Sequence, residues 1–532
     1  MATTCGVGPA CGPPGLRSSA LLGLAFILLL PSCRSGPGSA AKMSGYLYVD
    51  IESSPLSLDP RFATDAISSR ITELMFDSMV RLDSHGGFVG DLAESVERPS
   101  PTRLIFHLRR GVRFSDGRPL TTRDVEYTYN WVADPANLSP KRAAMEPFKL
   151  IRALDDYTLE IATWRPYAPA LESAMLGVVP FGTPGGGGRS APAGSGPFKL
   201  VRFVRDESLV IARNPMRSQS SSAPRGIVFK VVPDPTVRAL ELAEGVCDFS
   251  ENNLEPYLLG YLAARPQLKV VSSPGIAYQY IAFNFRDPRL RDLRVRRAIA
   301  YAIDREAIVH SMLRDTGRLA TGILAPENWA YNGDVARYSC DPAAAKRVLD
   351  EAGYRAGPDG MRNLTLVYKC TPEGRRLGEA FQAMLRRVGI ELSIRSNEWA
   401  TFYGDIQRGN FDLTSLQWVG ISDPQHYYLV FDSKMAPPNG LNRGWYSNPE
   451  MDRLVEGGET TLDPARRREI YARVQKLAAD DLPYVSLWWM DNVAVMSRSV
   501  LGFTPYPNGS LRSFSTLTLA GAGAREGAEL AE

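Results

Sequence analysis

With 532 residues, the chain has room for about three or four domains at ~150 residues each. Its 44% hydrophobic and 22% charged residues are those of a folded globular protein, which excludes a disordered chain, collagen and a disulfide-stapled miniprotein. The 61 basic and 58 acidic side chains leave a formal charge of +3, so no global field directs the chain to nucleic acid.

The first 33 residues read as a targeting segment. Arg17 supplies a sparse positive region, and residues 20–30 form an apolar run far shorter than the roughly 20 residues of a spanning helix. Leu30-Pro31-Ser32-Cys33 follows and resembles the lipobox of bacterial lipoproteins, in which the cysteine becomes the acylated mature N-terminus. A plain signal peptide cleaved elsewhere, with Cys33 incidental, is the alternative. Residues 34–43, rich in Gly, Ser, Pro and Ala, then read as a tether. The body keeps Cys247, Cys340 and Cys370, which allow at most one disulfide.

Further along, Leu104, Phe106 and Leu108 alternate as a strand, Ser115-Asp116-Gly117 offers turn chemistry, and Thr122 is placed to cap the next helix. Tyr157, Leu159 and Ile161 mark another strand, and the glycine-rich residues 183–196 a loop or a crossing between lobes. Asp234-Pro235 and Asp341-Pro342 each read as an N-cap followed by proline at the first helical position. Arg289 to Arg297 fall on a helix whose Leu293, Ala298, Ile299 and Ala302 face inward, which places the arginines on the solvated side. Residues 364–395 read as strand, helix and strand with parallel pairing. The tail after Leu519 reads as frayed.

Enzyme motifs are absent: there is no GxSxG elbow, phosphate-binding GxxxxGK[ST] loop or HExxH helix. His85, His107, His310 and His426 are scattered, and no Cys/His cluster suggests a metal site. The tryptophans of the C-terminal third stand out instead. Trp418 ends a strand and opens the glycine-bearing loop Val419-Gly420-Ile421-Ser422-Asp423-Pro424, a suitable platform at a cleft, with an ordinary core indole as the alternative.

The run from Phe106 to Val125 (FHLRRGVRFSDGRPLTTRDV) closely resembles family 5 bacterial extracellular solute-binding proteins, the peptide-, dipeptide- and nickel-type receptors of ABC importers. Further matches keep the family's order: Gly194-Ser195-Gly196-Pro197-Phe198, Phe283-Asn284, DLRVRRAI from Asp292, Gly409-Asn410-Phe411-Asp412 and YSNPEMD from Tyr446. The resemblance implies an α/β, two-lobed periplasmic-binding-protein-like (type II) fold with an extra inserted α/β domain and a ligand cleft between the lobes. It divides the chain into the leader 1–33, the tether 34–43, a discontinuous domain I (44–64, 180–275 and 486–519), the inserted domain II (65–179), domain III (276–485) and the tail 520–532.

The implied role is capture of a peptide or peptide-like solute for an ABC permease with its ATPase. No catalysis, cofactor, metal or nucleic acid is implied; the body is monomeric and touches the membrane through its lipid anchor alone. The implied site is Trp418, Gly420, Ile421, Ser422 and Asp423, with Trp488 and Trp489 as further candidates. Where the family's peptide receptors carry an amine-binding aspartate, three residues after the tryptophan, this chain has Ile421. Asp423-Pro424 there reads as a helix start. A glycan, metal chelate or haem remains an alternative ligand, and an exported hydrolase a distant one.

Overall fold

The structure is a computed structural model that describes residues 42–185, 191–218, 220 and 222–520. The leader with Cys33, most of the tether, residues 186–190 of the glycine-rich stretch and the end of the tail lie outside the described residues.

One mixed sheet carries both lobes. In spatial order its strands are Glu391–Ser396, Thr365–Cys370, Leu413–Trp418, Leu268–Phe283, Tyr484–Ser497, Phe249–Glu251, Tyr46–Ile51, Gly226–Val231, Ser208–Arg213 and Phe198–Val204. Leu268–Phe283 and Tyr484–Ser497 are the long ones, antiparallel from Leu268↔Ser497 to Ala282↔Tyr484. Leu268, Val495 and Met496 belong to the cores of the first lobe, whereas Ile281, Phe283, Val485 and Leu487 belong to the second. Each long strand therefore passes from one lobe to the other. The ladder is interrupted between Ser273 and Ala277. There a Cβ on Gly275 would stand 2.3 Å from the Met490 carbonyl oxygen, so only glycine allows the two backbones this approach.

A separate antiparallel sheet, Ala93–Ser100, Arg103–Leu108, Thr158–Thr163 and Phe148–Asp155, has its own core of Phe106, Phe114, Tyr129 and Leu159. The helix Ala66–Met75 does not join it. Ile67, Ile71, Leu74 and Met75 pack with Leu47, Phe229 and Phe249 in the first lobe.

Local readings translate directly where backbone chemistry suffices. Asp234 and Asp341 cap Pro235–Ala243 and Pro342–Glu351. Thr365–Cys370 and Glu391–Ser396 pair in parallel around the helix Arg375–Arg386. The cap of Thr122–Ala133 is one residue earlier than expected. Thr121 is the extended N-cap, its backbone N–H donates to Asp124 at 2.8 Å, and the Thr122 hydroxyl is drawn away to the Asp155 carbonyl. Cys247, Cys340 and Cys370 are all free thiols.

The arginine helix needs a larger correction. Within Leu293–Ala302, Arg296 is only 4% exposed. Its guanidinium donates to the carbonyls of Leu290 (2.6 Å), Arg291 (2.8 Å), Asp481 (2.7 Å) and Leu482 (3.2 Å), and lies 4.5 Å from the Phe285 ring centroid. Burial pushes its pKa down to about 10. A polar face seen on a helical wheel does not reveal that a neighbouring helix end covers it. Arg296→Ala, which strips donors from four carbonyls, is expected to lower unfolding stability by about 3 kcal/mol in urea titration. The exposed Arg294→Ala is expected to stay within about 0.5 kcal/mol of wild type.

Candidate functional site

The loop after Trp418 is met from the first half of the chain by residues 165–172. Arg165 pairs with Glu459 (2.8 Å), and the Ala168 N–H donates to the Glu459 carbonyl (2.7 Å). Gln425 Nε2 donates to the Tyr167 hydroxyl (2.9 Å) and to Glu459 Oε1 (3.0 Å). The Ser422 hydroxyl donates to Glu172 Oε1 (2.6 Å). These contacts form a clasp across the cleft. Ile421 and Ser422 line a remnant of about 20 Å³ with Leu82, Asp83, Pro507 and Asn508, so the lobes are closed.

Trp418 lies at the end of Leu413–Trp418, directly opposite Tyr278. It stacks on Tyr280 (centroids 5.9 Å, planes 11° apart), which in turn stacks on Tyr484 (4.0 Å) and Tyr278 (5.6 Å). Arg443 sits 4.7 Å over the indole and donates to the Tyr403 hydroxyl (2.9 Å). His426 meets the indole edge-on at 4.7 Å. Burial, and secondarily Arg443, push its pKa down to about 3, so it is neutral throughout the physiological range. Gly420 has φ +68°, the left-handed turn that directs the chain from the strand into the loop.

Asp423 is primarily an ion-pair partner and only secondarily a turn residue. It is 4% exposed, and its carboxylate accepts Arg467 Nη1 (2.8 Å) and Nη2 (2.5 Å) in a fork, with the Gln425 N–H also on Oδ1 (2.8 Å). The following helix, His426–Phe431, has Gln425 rather than Asp423 as its N-cap. Arg467 Nε donates to the Gly458 carbonyl (2.9 Å), which ties the loop to both C-terminal helices, Pro449–Thr460 and Pro464–Asp481.

Trp488 and Trp489 are 3% and 2% exposed. Trp488 packs with Ile281 and Leu487, whereas Trp489 lies edge-on to Tyr331 at 6.0 Å. Adjacent residues of a strand point to opposite faces, and here both faces are covered, so both indoles are core packing and neither stands on an open wall. A cavity of about 440 Å³ lies within the second lobe, lined by Tyr278, Arg305, Tyr427 and Tyr484. Arg305 is held there by the carbonyls of Ala320, Tyr338 and Ser486. Sequence reading missed Arg165, Tyr167, Glu172, Glu459 and Arg467, because no periodicity or motif marks a contact across some 250 to 290 residues, or the 44 that separate Arg467 from Asp423.

Two lobes joined by two long strands, with a cleft between them and an inserted sheet beside it, define the class: a two-lobed binding protein of the periplasmic type II fold. Residues 87–436 match the family described as bacterial extracellular solute-binding proteins, family 5 (middle region). The chain belongs to this family, whose members bind solutes outside the cytoplasm and are not enzymes. It is 26% identical over 536 residues to the oligopeptide-binding protein AppA of Bacillus subtilis, covering 94% of this chain and 98% of that one. Among solved structures, NikZ of Campylobacter jejuni in complex with Ni(L-His) superposes with a TM-score of 0.80 at 21% identity, covering 90% of this chain and all of that one. AppA of Bacillus subtilis with a bound nonapeptide gives 0.77 at 23% identity, covering 90% and 99%. No helix among the described residues is long and apolar enough to cross a membrane.

Removing Arg467 leaves the Asp423 charge buried and unpaired. Arg467→Ala is expected to destabilise the protein by about 3 to 5 kcal/mol, and the double variant Arg467→Met, Asp423→Leu by markedly less, because it removes both buried charges. Chemical denaturation of the two variants checks this.

Proposed function

We propose that this protein is the receptor of an ABC importer and captures a peptide or peptide-like solute between its lobes for delivery to the permease. The observation that carries the reading is the clasp. Residues 165–172 and 422–459 hold the lobes shut over the loop that follows Trp418, and the polar groups there are engaged with one another. A water-excluding closure of this kind strengthens each polar contact to an enclosed ligand. Trp418 with the Gly420–Ile421–Ser422 backbone is our candidate for the ligand wall, and Asp423 acts by holding that loop in place through Arg467. The oligopeptide relative and the nonapeptide-bound structure support peptide as the cargo class.

A second reading keeps the receptor role and changes the cargo to a metal chelate, in line with the Ni(L-His) complex of the Campylobacter protein. Among the described residues no group of His, Cys, Asp or Glu is placed to hold a bare metal ion, which favours a chelate over the ion itself. Elemental and native mass spectrometry of the purified body separates the two cargoes.

The domain division we propose follows the cores. The first lobe comprises 44–64, 180–275 and the C-terminal segment to 519, and the second lobe begins at 276. The helix Ala66–Met75 packs in the first lobe, so the inserted domain starts near residue 77 instead of 65. Leu487, Trp488 and Trp489 pack in the second lobe, so the return crossing falls nearer residue 490 than 486. We further propose a monomer held to a membrane through acylated Cys33. Two or three acyl chains, at about 0.8 kcal/mol per buried methylene, are enough to hold such a body on a bilayer.

Two outcomes are expected. A binding peptide shrinks the radius of gyration in solution scattering, and Trp418→Ala weakens its affinity at least about tenfold, roughly 1.4 kcal/mol. Peptide binding without compaction contradicts the closure mechanism. Cys33→Ser moves the intact, folded protein from the membrane fraction to the soluble fraction; continued sedimentation with membranes contradicts the anchor.

A further inference from the structure

Behind the clasp, the helix Ala66–Met75 and the inserted segment enclose a cavity of about 250 Å³ lined by Ser69, Glu73, Lys141, Glu172 and Arg512. Two of its four charged groups are already engaged. Glu73 accepts the Ser510 hydroxyl at 2.5 Å, and Arg512 pairs with Asp91 at 3.3 Å. Lys141 feels the fields of Glu73, Asp59 and Asp65, but reaches none of them at ion-pair distance.

Glu172 differs. The one hydrogen bond of its carboxyl among the described residues is from the Ser422 hydroxyl to Oε1, and no cation approaches it to ion-pair distance. The cation whose field reaches it, Arg467, is held in the fork on Asp423. Burial first, and the Asp423 charge second, push the Glu172 pKa up to about 8, so within the closed cleft the carboxyl is held neutral unless a cation lies against it. In the open protein the same group faces water and ionises in the ordinary carboxylate range. Closing on nothing, or on a neutral ligand group, therefore requires Glu172 to take up a proton. Closing on a cation placed against the carboxyl does not.

We propose that Glu172 is the counter-ion of a bound peptide's amino terminus, which enters the 250 Å³ cavity beside it. The inference rests on the peptide reading above. The backbone ammonium is common to all free peptides, so one fixed carboxyl in the inserted domain serves ligands of differing side chains. It also places the recognising group across the cleft from the Trp418 loop, so that ligand charge and Ser422 both draw the lobes together through the same side chain.

The test begins with a mixed library of tri- to pentapeptides, free and N-acetylated, screened by affinity-selection mass spectrometry on the full soluble body. The best binder and its acetylated twin then go to isothermal titration against wild type, Glu172→Gln and Lys141→Met. Glu172→Gln keeps the acceptor for Ser422, and its thermal unfolding is measured as a folding control.

In wild type, acetylation is expected to weaken binding at least about thirtyfold at pH 7.5, and in Glu172→Gln the ratio falls below about threefold. The acetylated twin should lose affinity about tenfold per pH unit as pH rises from the ordinary carboxylate range to about 8, flat below and above that window, while the free peptide is flat across it. Lys141→Met should leave the free-to-acetylated ratio unchanged. Equal affinity of the twins, a ratio that survives Glu172→Gln, or a ratio that depends on Lys141 overturns the assignment while leaving the peptide reading intact. A library with no binder in either form overturns the peptide reading, and the assignment with it.

Discussion

The antiparallel pairing of Leu268–Phe283 with Tyr484–Ser497 is the constraint on which the molecule rests. It joins segments some 200 residues apart, yet loop-closure entropy grows only with the logarithm of loop length, so the ladder repays it easily. Because the same two strands contribute to the cores of both lobes, neither lobe can shift its strand register without shifting the other's. The interruption at Gly275 gives this rigid connection a local break in its hydrogen bonds where the strands leave one core for the other.

The electrostatics of the cleft exist only because the lobes meet. Asp423 and Arg467 come from the same lobe and form a fixed pair, satisfied before closure. Glu172 belongs to the opposite wall and acquires its perturbed state from being covered. A fixed pair that holds the binding loop, facing a carboxyl whose charge depends on what is enclosed, is an arrangement for sensing a ligand. Arg165 with Glu459, and Asp423 with Arg467, form the charged pairs around that carboxyl. This agrees with a family of solute-binding proteins.

The arginines show how burial depends on the whole fold. Arg294 and Arg296 stand two residues apart on one helix. Arg294 is exposed and bound to Asp292, whereas Arg296 is sealed beneath the end of Pro464–Asp481. Trp488 and Trp489 make the same point on a strand, where coverage of both faces buried two indoles that alternation alone would have separated into inside and outside.

By itself the sequence determined what short-range chemistry controls. Asp-Pro caps and glycine stops lie within a few residues of their partners, and the parallel strands of residues 364–395 are joined by a single helix; the ordered motifs from Phe106 to Asp452 carried the family resemblance. That Trp418 ends a strand and that Gly420 turns the chain after it was legible too, because both are local patterns. Tertiary structure alone decided that the helix Ala66–Met75 packs in the first lobe, that Asp423 serves Arg467 and that Glu172 reaches Ser422 across 250 residues. Caps and turns are satisfied by the backbone next to them, whereas a buried charge is defined by whichever distant segment excludes water from it, and no spacing in the chain encodes that segment's arrival.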